Sequence, residues 1–235
     1  MENQAAKNYG RYLSLEGRIP EMEEQVGNLK ESLREMKLDM DWKEIAVRNL
    51  EDPGFWDRLL GRLEKKRELA NSAWREARAT YEIAKRKLEE LEFSLQQMKE
   101  EREALAGSRG EYEAEGSPRE VAAFLPAALE AAQRCIEALN NMLPHARRDA
   151  HTTYVRPGNR KMEFMAKAAE NAQALNRILV LMPEGIVEPG RYFRCPEYYI
   201  TEVTSEYQQL DRVEMAMNQV KAVRSELMKL SLTGK

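Results

Sequence analysis

Residues 12–50 read YLSLEGRIPEMEEQVGNLKESLREMKLDMDWKEIAVRNL, and their apolar groups fall at alternating steps of three and four. The stripe is Tyr12, Leu15, Ile19, Met22, Val26, Leu29, Leu33, Met36, Met40, Lys43, Val47 and Leu50, with one lysine in it. After the turn signal Asp52-Pro53-Gly54 the pattern resumes as Leu60, Leu63, Arg67, Ala70, Trp74, Ala77, Tyr81, Ala84, Leu88, Leu91, Leu95, Met98, Arg102 and Leu105. A repeat of about 3.5 residues held this long is the pattern of a left-handed coiled coil. Two such stripes joined by a Pro-Gly turn predict an antiparallel hairpin of two helices, each a rod of roughly 75 Å. Gly17 and Pro20 predict a kink or a fresh start in the first helix, because proline removes a donor and crowds the preceding turn.

Pairing the stripes so that partner numbers sum to 110 keeps Pro53 and Gly54 out of every helical layer. It places Leu33 with Ala77, Met36 with Trp74, and Lys43 beside Arg67. Large groups then face small ones, which suits interdigitated packing. The two cations share one layer, expected to be open to water with their stems lying along the coil.

Beyond the hairpin the periodicity breaks. Residues 106–117 carry three glycines and read as a linker. Ser117-Pro118-Arg119-Glu120 has the form of a helix start, serine capping and glutamate reaching back. The helix that follows carries Val121, Leu125, Ala128, Ala132, Cys135, Leu139 and Met142, with a bend expected at Pro126 and an end or bend at Pro144. A fourth helix after Pro157-Gly158-Asn159 bears Met165, Ala168, Ala172, Leu175, Leu179 and Met182, and Pro183-Glu184-Gly185 stops it. Residues 186–195 alone have strand character, enough for a very small hairpin. A fifth helix from about Pro196 to Leu230 completes the chain. The expected fold is therefore all-α: an antiparallel coiled-coil hairpin over 1–107 with its turn at 51–55, a linker over 108–117, and a three-helix region over 118–235.

Composition agrees. Charged residues make up 33% of the 235 and aromatics 7%, which suits long solvated helices rather than an ordinary globular enzyme. The formal charge of -3 gives no global pull toward nucleic acid or anionic lipid. Cys135 and Cys195 stand far apart, outside any CxxC spacing, and read as free thiols. No signal-peptide pattern and no membrane-length apolar run appear, so a cytoplasmic location without membrane association is expected.

Two surfaces offer function. Leu38, Trp42 and Ile45 sit at c and f heptad positions, away from the seam, with Phe55, Trp56 and Leu59 at the adjoining turn. Exposed, they would form a contact patch; the plainer reading is that another helix of the chain, or of a dimer partner, covers them. Beside them Arg58, Arg62, Lys65, Lys66, Arg67 and Arg48 are interleaved with acids, as on an ordinary solvated face. The second surface is the basic segment 145–161, holding His145, Arg147, Arg148, His151, Arg156, Arg160 and Lys161. It could hold a polyanion near a helix N-terminus, although basic groups also suit a helix C-terminus without any ligand.

Signatures of chemistry are missing: no phosphate loop, no His-Glu-x-x-His, no Glu-x-x-His, no Gly-x-Ser-x-Gly. Cys195, beside Arg194 at an expected helix start, has the setting of a lowered thiol pKa but more often such a thiol is inert. Leu50-Glu51-Asp52-Pro53-Gly54-Phe55-Trp56-Asp57 resembles the Asp-Pro-x-Phe-Trp turn in the helical N-terminal domain of bacterial peptide chain release factors. The Gly-Gly-Gln tripeptide of that family is absent, so the resemblance implies a turn and no activity. The sequence thus points to a non-enzymatic scaffold or adaptor, without cofactor or metal, acting through a homodimer or another protein partner. Nucleic-acid or polyanion binding through Arg147, Arg148, Arg156, Arg160 and Lys161 is the alternative.

Overall fold

The computed structural model describes residues 3–50, 63–150, 159–183 and 206–233. All regular structure among them is α-helical: α1 (Gln4–Asn49), α2 (Leu63–Ala104), α3 (Ser108–Ala114), α4 (Val121–Ala150), α5 (Asn159–Leu179) and α6 (Glu206–Thr233). The all-α expectation and the long helical hairpin are both present. The turn at 51–55, the strand-like residues 186–195 and the start of the last helix lie outside the described residues. By compactness the chain forms two units, one of residues 1–18 with 101–235 and one of residues 19–100.

In the 19–100 unit, α1 and α2 run antiparallel, and their side-chain contacts fix the register. Glu23 pairs with Lys99 at 2.6 Å and Lys30 with Glu92 at 2.7 Å. Arg67 Nε donates to the Leu50 carbonyl at 2.9 Å. Under the expected sum of 110, Lys30 would be level with residue 80, about 18 Å along the axis from Glu92 at 1.5 Å per residue. A lysine and a glutamate laid end to end do not span that. The heptad phase admits sums of 103, 110 and 117, and only 117 brings all three contacts within reach. The layers are therefore Ile19 with Met98, Val26 with Leu91, Leu33 with Ala84, Met40 with Ala77 and Val47 with Ala70.

This corrects the shared cation layer. Lys43 lies level with Trp74 and reaches back one turn to Asp39 at 2.6 Å. Arg67 instead caps the C-terminal end of α1, where carbonyls lack helical partners and the dipole favours a cation. Ile19, Val26, Leu33, Ala77 and Ala84 are buried; past Leu33 on α1 and before Ala77 on α2, no described residue of this unit is.

The other unit is built around α4, which packs against both α5 and α6. Its core is rich in alanine, with Ala128, Ala131 and Ala132 fully enclosed beside Cys135, Leu139 and Met142. Leu175, Ile178 and Met182 on one side and Val213, Val220 and Leu227 on the other complete it. Pro126 and Pro144 are exposed and α4 continues through both, so the predicted end at Pro144 is not there. Likewise α1 continues through exposed Pro20, with no fresh start.

The first turns of α1 belong to this core. Asn3 caps the helix, its Oδ1 accepting from the Ala6 amide at 2.9 Å. Ala6, Gly10, Ser14 and Gly17 form a stripe of small residues toward α4. A Cβ at Gly10 would lie 2.0 Å from the Ala123 carbonyl oxygen, and one at Gly17 would meet the Arg134 guanidinium at 2.0 Å. The expected linker is also part of this packing. Tyr112 of α3 is buried against Tyr9, with ring centroids 5.3 Å apart, and against Phe124 at 5.5 Å. Gly116 (φ 83°) and Ser117 (φ 52°) close α3, their amides donating to Glu113 and Tyr112 carbonyls. That is a helix C-terminal motif using glycine's left-handed freedom. Ser117 thus ends α3 and does not cap α4, which begins at Val121.

Candidate interaction surface

Within the 19–100 unit, α1 presents Leu38, Trp42 and Ile45 to solvent at 61%, 70% and 46% exposure. Their spacing of four and three sets them on one outer face of the helix. No described part of the chain covers them. On α2 of the same unit Leu69 and Ile83 are as exposed, at 64% and 68%. Phe55, Trp56 and Leu59, expected to extend the patch, lie outside the described residues.

Nearby Trp74 is half-buried with Nε1 enclosed and without a hydrogen-bond partner, and the Arg78 guanidinium stands 5.4 Å from its ring centre. Of the neighbouring basic cluster, Arg48 pairs with Glu44 one turn earlier and Arg67 holds the end of α1. The shallow depression on α2 from Glu64 to Glu76 is lined by three glutamates, two arginines, Asn71 and Ser72 of that one helix.

The basic segment is described in part. Arg147 of α4 binds Glu214 of α6 at 3.1 Å, and the His145 ring stacks on Phe164 at 5.9 Å. Arg148 is exposed. Arg156 lies outside the described residues; Arg160 and Lys161 fall in the first turn of α5, with side chains outside them. The structure thus does not assemble the five cations into one described site.

Sequence reading missed a polar cluster in the α4-centred unit. Ser14 Oγ donates to Glu130 at 2.5 Å, Arg18 stands 4.0 Å from the same carboxylate, and Arg134, 6% exposed, lies 3.9 Å from it. Arg134 Nε also donates to Asn171 Oδ1 at 3.3 Å. A hint was available in Ala6, Gly10, Ser14 and Gly17, a row of small residues at helical spacing that lets another helix come close. Elsewhere in this unit, burial raises the phenol pKa of Tyr9 and of Tyr112, and hydrogen bonding to Arg11 lowers that of the Glu101 carboxyl. Cys135 is buried, its thiol 3.6 Å from the Ala168 carbonyl oxygen. Cys195 is outside the described residues. Among the described residues no three His, Cys, Asp or Glu side chains converge as a metal ion would need, and no helix is long and apolar enough to cross a membrane.

No family model matches this chain, and neither a curated protein nor a solved structure does. The reading of its surfaces therefore rests on their own physical chemistry.

Proposed function

We propose that this is a non-enzymatic interaction protein, a coiled-coil scaffold or adaptor that works by self-association or by binding another protein. The supporting observation is the solvent-facing stripe Leu38, Trp42 and Ile45 on a helix whose inner seam is already used. Three large apolar groups in one row cost free energy in water, and tryptophan is the residue most enriched among energetic anchors of interfaces. Of the neighbouring charges, Lys43 pairs with Asp39 and Arg48 with Glu44 on the same helix.

The test compares the wild type with a Leu38→Glu, Trp42→Glu, Ile45→Glu variant by light scattering and by capture from cells. Loss of a bound copy or partner in the variant is the expected result. A wild type that binds nothing, or a variant that binds identically, sinks the reading.

Polyanion binding through Arg147, Arg148, Arg156, Arg160 and Lys161 draws less support, because Arg147 is already held by Glu214. Its signature would be retention on an anionic matrix that falls steeply with salt and with neutralisation of those residues.

A further inference from the structure

The hairpin has two unlike sides. In an antiparallel coil, e and b positions of both helices share one side, while g and c positions share the other. The pairs Glu23 with Lys99 and Lys30 with Glu92 join e to e, which places these sides on the present chain. Of the twenty b and e positions between 19–50 and 63–100, sixteen are charged; of the nineteen c and g positions, seven are. The low-charge side carries Trp42, Leu69 and Ile83, exposed at 70%, 64% and 68%, with Ala46, Ala73 and Thr80 between them. Leu38 and Ile45, at f, edge it. Its Trp42 and Leu69 end lies along the stretch, past Leu33 and before Ala77, where no described residue of this unit is buried.

We infer that a second copy of this chain docks on the low-charge side, packing hairpin against hairpin; the inference rests on the function proposed above and names its partner. Two observations favour a copy. The first is area. From Gln25 to Asn49 the side runs about 36 Å at 1.5 Å per residue. Two helices are about 20 Å across. Each copy can therefore offer about 700 Å², and the pair about 1,400 Å², within the range of stable specific interfaces. The second is self-compatibility. An isologous contact sets a surface against itself, which this side tolerates because its centre is apolar and small. The opposite side has charge at four positions in five, of both signs, and docking there would have to strip water from those charges.

The experiment is light scattering of the full chain over a wide dilution range, with two triple variants. Wild type is expected at twice the chain mass of 27.2 kDa, dissociating on dilution. Trp42→Glu, Leu69→Glu, Ile83→Glu should weaken the dimer at least about tenfold, with circular dichroism unchanged because all three groups are exposed in the single chain. The mirror variant Arg34→Glu, Glu82→Lys, Glu89→Lys, on the charged side, should leave it intact. A monomeric wild type overturns the inference. So does a dimer that survives the first variant, or one that both variants break equally. A monomer that captures a different protein through Leu38, Trp42 and Ile45 would overturn the second copy yet leave the interaction function standing.

Discussion

The close approach of α1 to α4 makes one substitution a sharp test. In Gly10→Ala the new Cβ would stand 2.0 Å from the Ala123 carbonyl oxygen, where ordinary contact begins near 3.4 Å. Both sides of that contact are backbone, so no rotamer change relieves it, and the helices must part by about 1.4 Å on those same figures. Overpacking of this kind costs about 1–3 kcal/mol, and rigid neighbours place it near about 3. Alanine returns about 1 kcal/mol in a helix interior. The net loss is about 2 kcal/mol, or about 4–8 °C in Tm for a unit of this size. Gly27→Ala is the control, because a Cβ there meets nothing within 4 Å. It should stabilise the 19–100 unit by up to about 1 kcal/mol through helix propensity alone. Urea and thermal unfolding followed by circular dichroism read both. Equal effects of the two substitutions, or a neutral Gly10→Ala, would refute the close packing of α1 on α4.

The register is tested by disulfide formation in a background with Cys135→Ala and Cys195→Ser: Leu33→Cys with Ala84→Cys should oxidise to an intramolecular bridge. Leu33→Cys with Ala77→Cys should not, being about 10 Å out of level, beyond disulfide reach, and the opposite outcome restores the sum of 110. Glu130→Ala removes the acceptor of Ser14 and leaves Arg134 enclosed without that carboxylate, which should cost about 1–3 kcal/mol in denaturant unfolding. Arg11 binds Glu101 through two nitrogens, at 2.7 and 2.8 Å, and so lowers the carboxyl pKa. The contribution is therefore full above the unfolded carboxyl pKa and fades as pH falls through the lower folded one. Both side chains are over a third exposed, so screening keeps it to the low end of about 0.2–1 kcal/mol. Arg11→Ala should remove that acid-limb dependence, measured by stability against pH.

The hairpin and the all-α class were legible because a sustained heptad stripe has few other solutions. Register was less legible in the turn than in the flanks, because Pro53 and Gly54 exclude a layer without fixing how far one helix slides along the other. A sum of 110 would set e positions against each other at a sum five higher, putting Glu23 against Glu92, Lys30 against Lys85 and Lys37 against Arg78. At 117 the same offset puts Glu23 on Lys99, Lys30 on Glu92 and Glu44 level with Arg78, three opposed levels against one of like charge, Lys37 with Lys85. Charge pattern at e positions carried the answer. The role of α3 was hidden for another reason: Tyr112 is a single aromatic among glycines and acids, and only Tyr9 and Phe124, remote in sequence, give it a core to join. Exposure of the patch residues was open too, since their c and f positions exclude the seam without saying whether another helix lies over them.

The placement of Ala5, Ala6 and Tyr9 in the α4 core has a consequence for synthesis. These residues leave the ribosome before more than a hundred others, yet their partners are Tyr112, Ala123 and Phe124. During that interval the stretch Ile19–Glu100 can already close on itself. The opening turns of α1 meanwhile lack the partners that enclose Ala6 and Tyr9, and they are expected to stay open to solvent until Phe124 emerges. A nascent chain stalled before α4 should therefore be more readily cut by protease near Tyr9 than one stalled beyond it.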